Sequence, residues 1–103
     1  MIELEAGWTY RVYMADGTVC SFDMTKPRQA WILPPPAGRG VPTDANRQDW
    51  MLVIDEPVRL QRGRQVSVQV FEDSGSTWTW VGSTPNRVVR ASETELPIST
   101  PWQ

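Results

Sequence analysis

Polar and apolar residues alternate most clearly over residues 64–83. Valine takes every second position from 66 to 70, and tryptophan takes positions 78 and 80, with Asp73-Ser74-Gly75 between the two runs. A period of two indicates strands with one buried face, and a short segment of Asp, Ser and Gly indicates a turn. The segment therefore predicts a β-hairpin.

The buried pattern also predicts the register of this hairpin. A three-residue loop that ends at Gly75 places Val68 opposite Trp80 and Val70 opposite Trp78, so that the large apolar side chains share one face. A shorter loop would turn the tryptophans to the other face, and the burial of one face selects against that slip. The longer loop also puts glycine at the left-handed position that closes it.

Residues 8–24 predict a second hairpin of the same kind, closed by Ala15-Asp16-Gly17. A three-residue loop gathers the apolar side chains on one face, whereas a two-residue turn would bring Ser21 and Asp23 onto it. Cys20 then lies on the buried side, which is typical of a structural, unreactive thiol. The predicted pairs are Met14–Thr18, Val12–Cys20, Tyr10–Phe22 and Trp8–Met24.

Four further segments predict strands, the last of them residues 87–91, which follow a turn at Thr84-Pro85-Asn86. Residues 28–33 lie between Pro27 and Pro34, and proline is confined to the edges of sheets, so we expect an edge strand there. Residues 50–54 form a continuous apolar run, which is typical of a central strand buried on both faces. Residues 58–60 predict a short strand that continues the central hairpin.

The pattern as a whole predicts an all-β protein. About six to eight short antiparallel strands, glycine-containing turns and no convincing helix are typical of a small single-domain barrel or sandwich, and SH3-like or OB-like architecture fits the strand count. We expect an all-β domain over residues 1–91, with a long Pro/Gly loop at 34–48, and a C-terminal tail over 92–103. A loop of that length in a small domain is usually functional or disordered.

Composition restricts the compartment and the class. The chain has 103 residues, 40% of them hydrophobic and 21% charged, as expected of one folded domain. Its longest apolar run, residues 50–54, is far shorter than the roughly 20 residues of a membrane helix. Glu3 and Glu5 stand where a secretory signal would be basic. We therefore expect a cytoplasmic protein without a membrane partner.

The side chains needed for common chemistry are scarce. The sequence has no histidine and one cysteine, which excludes Ser-His-Asp and Cys-His catalysis, makes a zinc site implausible and excludes an intrachain disulfide. The acidic pairs Asp55-Glu56 and Glu72-Asp73 fall at predicted turns, where solvated charges are ordinary. We expect no catalytic residue, no cofactor, no metal and no enzyme activity.

Tryptophan is the unusual feature of the composition. There are six tryptophans, and a core of this size houses about three or four of them fully, which leaves roughly one or two exposed. Nine of the ten basic residues are arginine, and interfaces are enriched in Trp, Tyr and Arg. The simpler alternative is that all six tryptophans are core residues.

These observations favour a non-enzymatic protein-interaction module, or a small subunit or accessory protein of a larger bacterial or phage assembly. Its partner would be another protein or a second copy of the chain. The candidate partner-binding residues are Trp31, Trp102, Tyr13, Phe71, Arg59, Arg62 and Arg64.

Single-stranded nucleic acid is the alternative partner. Arg59, Arg62 and Arg64 cluster at one turn, and arginine with aromatic side chains can form a stacking groove for single strands. The net charge of −2 and the pI near 5.0 argue against it, because such proteins usually carry a basic excess.

Overall fold

Ten strands account for the alternating segments in the computed structural model of the chain. The structure describes residues 2–26, 29–35, 50–54, 57–71, 75–91, 94–96 and 98, and no helix lies among them. The strands are β1 (Ile2–Glu3), β2 (Thr9–Met14), β3 (Val19–Lys26), β4 (Gln29–Leu33), β5 (Met51–Val53), β6 (Arg59–Leu60), β7 (Ser67–Phe71), β8 (Thr77–Val81), β9 (Pro85–Arg90) and β10 (Thr94–Leu96).

Eight of these strands form one antiparallel sheet in the order β10-β9-β2-β3-β4-β5-β7-β8, and β1 and β6 form a small second sheet. The prediction of an all-β protein built from short antiparallel strands is confirmed. Within the part of the chain that the structure describes, the large sheet begins at β10 and ends at β8, and these two strands are not paired with each other.

Both predicted hairpin registers are confirmed. Val68 pairs with Trp80 and Val70 with Trp78 across β7 and β8, while Val12 pairs with Cys20 across β2 and β3. The glycines that close the loops, Gly17 and Gly75, have φ of 88° and 89°. Only glycine adopts this conformation without strain, so the turn chemistry and the buried face agree on one register.

The core lies on one face of the large sheet, which we call the inner face. It is filled by aliphatic side chains around the fully buried Tyr10 and Phe22, and it includes the buried Cys20. The small sheet packs there as well, because Leu4, Val58 and Leu60 belong to the same apolar cluster. Tertiary packing of these faces, more than strand propensity, stabilises the fold.

Two predictions about the neighbours of single strands are corrected. β4 is not an edge strand: it lies between β3 and β5, because its residues, Gln29–Leu33, include no proline that would interrupt its ladder. β6 does not continue the central hairpin but pairs with β1, as Leu60 faces Ile2.

β5 does lie inside the sheet, between β4 and β7, but only its inner face is fully buried. Val53 is buried, Leu52 is half-buried and Ile54 is exposed. A continuous apolar run therefore marks a strand whose second face, which we call the outer face of the sheet, is only partly covered.

The C-terminal part of the chain contributes to the sheet. β10, which lies in the segment predicted to be a tail, pairs with β9 through Leu96 and Val88, and Ile98 is buried in the core. Of the predicted loop at 34–48, only residues 34 and 35 are among the described residues.

The prediction that the core encloses most tryptophans is wrong for those that the structure describes. Five of the six belong to the described residues, and none is fully buried: Trp8, Trp31, Trp50 and Trp80 are half-buried and Trp78 is exposed. Trp8 and Trp80 pack on the core only from its margin. Valine, isoleucine, tyrosine and phenylalanine already fill the inner face, so the larger indoles lie where the sheet is open.

Candidate functional site

The exposed large apolar side chains of the described residues gather at one end of the large sheet. They are Ile54, Phe71, Trp78 and Val81, which are 47%, 39%, 39% and 52% exposed. Phe71 lies on β7, Trp78 and Val81 lie on β8, and Ile54 follows β5, so three consecutive strands carry them. We call these four residues the apolar edge surface.

The apolar edge surface extends over both faces of the sheet. Phe71 is paired with Thr77, whereas Trp78 is paired with the buried Val70. Successive side chains of a strand point to opposite faces, so Trp78 lies on the inner face and Phe71 lies on the outer face with Val81. Any molecule that covered these side chains would also cover the end of the sheet between them.

Two backbone hydrogen bonds establish the direction in which the polar groups of β8 point. The N–H of Ile54 donates to the C=O of Gln69 at 2.9 Å, so the backbone of Gln69 faces β5. The N–H of Gly82 donates to the C=O of Val66 at 2.8 Å, so even-numbered residues form the hydrogen-bonded pairs between β7 and β8. In antiparallel sheets such pairs alternate with pairs that are not hydrogen-bonded to each other.

Thr77, Thr79 and Val81 therefore direct their backbone N–H and C=O groups away from β7. Within the described residues no strand lies on that side, because β8 ends the sheet. A row of unpaired groups of this kind is a template for another strand. The site is thus a backbone edge bordered by exposed apolar side chains.

The sequence of this edge lacks charge and proline, two of the features that block strand addition, and the bulge formed where Val66 bonds to both Gly82 and Ser83 lies only at its C-terminal end. Residues 76–83 include no charged residue and no proline, although natural proteins commonly protect edge strands with lysine, proline or bulges. All residues from Gly75 to Thr79 are exposed. The edge of β8 is therefore accessible to another chain.

The inner face anchors β8 to the rest of the protein. Trp80 is half-buried and packs against the core cluster. A Cβ at Gly82 would lie 2.7 Å from Cη2 of Trp80 and 3.0 Å from Sδ of Met14, so the indole occupies the space that a side chain would need. This packing holds the strand in place while its outer edge stays open.

Three of the aromatic or basic residues predicted to bind a partner lie on the outer face. Phe71 and Trp31 are both paired with Leu52, so they stand on either side of it. Tyr13 lies on the same face of β2, and the guanidinium carbon of Arg87 is 4.6 Å from the centroid of its ring. Only Phe71 of these three belongs to the apolar edge surface.

The three arginines predicted to act with these aromatics lie on other elements. The Nε of Arg59, on β6, is 3.0 Å from a carboxylate oxygen of Glu3. Arg62 donates a hydrogen bond to the C=O of Asn86 at 3.2 Å, and Arg64 is an exposed residue of the turn after β6. Trp102 lies outside the described residues.

The sequence analysis missed the residues that make the edge, namely Ile54, Trp78, Val81 and the backbone of Thr77 and Thr79. The alternation places Trp78 on the buried face and so predicts a core residue. The signal that could have identified the edge is the run of uncharged residues from 76 to 83.

Towards the opposite end of the sheet, the side chain of Arg90 lies over the ring of Trp8. The guanidinium carbon of Arg90 is 4.2 Å from the ring centroid of Trp8, which is the geometry of a cation–π contact. A shallow cleft of about 190 Å³ lies beside it and is lined by Thr9, Tyr10, Arg11, Ser21, Val89, Arg90 and Ala91.

The chemistry of the single thiol agrees with the predicted structural role. Cys20 is buried between the two ends of the sheet, and burial raises its pKa from 9.0 to about 12, partly offset by a backbone hydrogen bond. A thiol of this kind stays protonated at neutral pH and is a poor nucleophile. Among the described residues, no three acidic, cysteine or histidine residues are grouped to hold a metal ion.

Comparisons with protein-family models, with curated proteins and with solved structures find no match for this chain. A search of the described residues for a helix long and apolar enough to cross a membrane finds none.

Proposed function

We propose that the protein is a non-enzymatic protein-interaction module that binds an extended segment of a partner protein as an additional strand beside β8. The observation that carries this proposal is the uncharged edge of β8. The N–H and C=O groups of Thr77, Thr79 and Val81 face outward there, within the apolar edge surface.

Strand addition to a sheet edge is a common mode of peptide recognition. Main-chain hydrogen bonds supply affinity, and alternate side chains of the added strand contact the two faces. Here the exposed Trp78 would contact one set of side chains on the inner face. Val81 and Phe71 would contact the other set, so we expect ligands with apolar residues on both faces.

Several finer features of the protein are part of the proposal. We propose that it works in the cytoplasm as a small subunit or accessory protein of a bacterial or phage assembly. We also propose a barrel-like curvature of the large sheet. Its support is the short connection from β8 to β9 and the hydrogen bond from the Ala15 N–H to the C=O of Thr84, at 2.8 Å.

The test is a selection of short random peptides, displayed on phage, against the immobilised protein. We expect enriched peptides to alternate apolar and polar residues and to bind the wild-type chain. Their binding should be lost in Thr79→Pro, because proline removes an N–H that faces the edge and leaves the β7–β8 hydrogen bonds intact.

Thr79→Val is the matched control, since it keeps both the N–H and the shape of the side chain, and it should bind the peptides as the wild type does. Circular dichroism should show that both variants are folded. Peptides that bind Thr79→Pro as well as they bind the wild type would contradict strand addition at this edge.

A further inference from the structure

We propose that the strand which adds to β8 is β8 of a second copy of the chain, in a two-fold symmetric dimer centred on Thr79. This inference rests on the proposed function and names its partner. The edge of β8 is complementary to itself in its backbone groups, its aromatic side chains and its charge.

The backbone groups match when two copies of β8 run antiparallel about Thr79. Thr79 then stands opposite the partner's Thr79, and Thr77 stands opposite the partner's Val81. These are the residues whose N–H and C=O groups face outward. Each opposed pair exchanges two hydrogen bonds, so the junction gains about six. The two large sheets would join into one continuous antiparallel sheet.

The tryptophans match in the same register. Trp78 stands opposite the partner's Trp80, in a pair that is not hydrogen-bonded, where the side chains approach more closely than in hydrogen-bonded pairs. Aromatic cross-strand pairs stabilise antiparallel sheets. The dimer would therefore cover Trp78, which is 39% exposed in the single chain, with a ring that is itself anchored on the partner's core.

Of the possible two-fold registers, the pairing of the tryptophan side chains favours the one centred on Thr79. A two-fold axis at Trp78 would place that residue opposite its own copy, and Trp80 would then face the partner's Ser76. Only the axis at Thr79 gives every tryptophan of β8 an aromatic neighbour. It also opposes the three outward-facing residues with one another and leaves none of them without a partner.

Charge does not oppose the two-fold arrangement. Symmetry places like residues close to the axis, so a charged residue near Thr79 would meet its own copy and repel it. Residues 76–83 carry no charge.

The edge of β10, at the other end of the sheet, is shorter than that of β8, since β10 has three residues and β8 has five. It therefore offers fewer backbone groups to a second strand.

The experiment is sedimentation velocity over a concentration series of the full chain, with Thr79→Lys and Thr79→Glu studied alone and as an equimolar mixture. Thr79 is exposed, so both variants can fold as monomers. We expect a concentration-dependent dimer for the wild type and a Kd higher by roughly tenfold or more for each variant, because two like charges meet at the axis.

The mixture should recover the dimer, since lysine then faces glutamate. Ser67→Lys is the matched control: Ser67 is exposed on the adjacent strand and paired with Val81, but its backbone does not face the edge, so its Kd should equal that of the wild type. A second pair of variants is independent of Thr79. Thr77→Lys/Val81→Lys should abolish the dimer, and Thr77→Lys/Val81→Glu should keep it.

A wild-type chain that stays monomeric at every concentration would overturn the inference, as would a dimer that neither lysine variant weakens. Failure of the mixture to recover the dimer, together with failure of Thr77→Lys/Val81→Glu to keep it, would overturn the register. If the wild type is monomeric but displayed peptides bind it and not Thr79→Pro, the proposed function stands and only the second copy is excluded.

Discussion

The two ends of the large sheet differ in how their exposed groups are matched. Towards the β10 end, on β9 and β2, Arg87 lies over the ring of Tyr13 and Arg90 lies over the ring of Trp8, so cations and aromatic faces are paired within the chain. At the β8 end, Trp78 and the backbone edge beside it have no such neighbour among the described residues.

Whether an exposed aromatic residue is available to a partner therefore depends on what lies over its ring. A ring that is covered by a guanidinium group of the same chain contributes to stability. A ring beside an unpaired strand edge has both an apolar surface and directional hydrogen-bonding groups to offer another molecule. The β8 end is therefore the binding end in our proposal. The region where Arg87 and Arg90 lie over aromatic rings, which we call the arginine end, contributes to stability.

Between the two ends, the middle of the sheet should be rigid, and the reactivity of Cys20 measures this. Its thiol is buried on β3, so a thiol reagent should reach it only through global unfolding. With a free energy of unfolding of at least about 5 kcal/mol, labelling should be slower than in the unfolded chain by roughly a thousandfold or more. Labelling kinetics followed by mass spectrometry measure this.

The same residue gives a dependence on pH. Because burial raises the pKa of Cys20 from 9.0 to about 12, the unfolded chain loses its thiol proton first as the pH rises. The folded state then binds more protons, so the free energy of unfolding should fall as the pH increases from 9 towards 12. Cys20→Ala should remove this contribution.

In the labelling experiment, a Cys20 thiol that reacts as fast in the native chain as in the unfolded chain would show that the middle of the sheet is open.

Within the β8 end, the two tryptophans should differ in what they stabilise. Trp80 packs on the core margin, so Trp80→Ala should lower the free energy of unfolding by about 2–3 kcal/mol, less than for a fully buried indole. Trp78→Ala should cost under about 1 kcal/mol, yet weaken peptide binding and dimer formation. Urea unfolding of both variants tests this, and equal losses of stability would remove the distinction between anchor and contact residue.

At the arginine end, the cation–π contact between Arg90 and Trp8 should raise the free energy of unfolding. Arg90→Gln removes the guanidinium group over Trp8 and should lower the free energy of unfolding by about 1 kcal/mol, while leaving dimer formation unchanged. Arg64→Gln is the control, because Arg64 is exposed in a turn, and it should change stability by less than about 0.5 kcal/mol. A loss of dimer in Arg90→Gln would mean that the two ends are not independent.

Local rules sufficed for the parts of the fold in which side-chain alternation and turn chemistry agree. The register of β7 and β8 follows from the valines, the tryptophans and Gly75, because a slip by one residue would expose a whole face. Local rules failed for β4 and β6, whose neighbours are distant in sequence. Pairing over such distances depends on tertiary packing, and the alternation of one segment does not contain it.

The candidate site was less accessible to sequence reasoning than the fold. Phe71 was identified as a binding residue, but Trp78 was assigned to the core, because alternation shows which face a residue occupies and not whether that face is covered. That β8 ends the sheet is a property of strand order. Only the lack of charge over residues 76–83 could have indicated it, since protected edges usually carry charge or proline.

The smallest effect is expected in a test of nucleic-acid binding at the arginine end. The net charge is −2, and Arg87 and Arg90 already lie over aromatic rings, so a single-stranded oligonucleotide should give no gel shift even at low salt, where such binding is strongest. Arg87→Gln and Arg64→Gln each remove one charge, the first from β9 and the second from the turn whose arginines are the candidate nucleic-acid residues. A shift that Arg87→Gln removes and Arg64→Gln keeps would make the arginine end a second binding surface. In that case the contrast between the two ends would lie in what they bind, nucleic acid at one and a protein strand at the other.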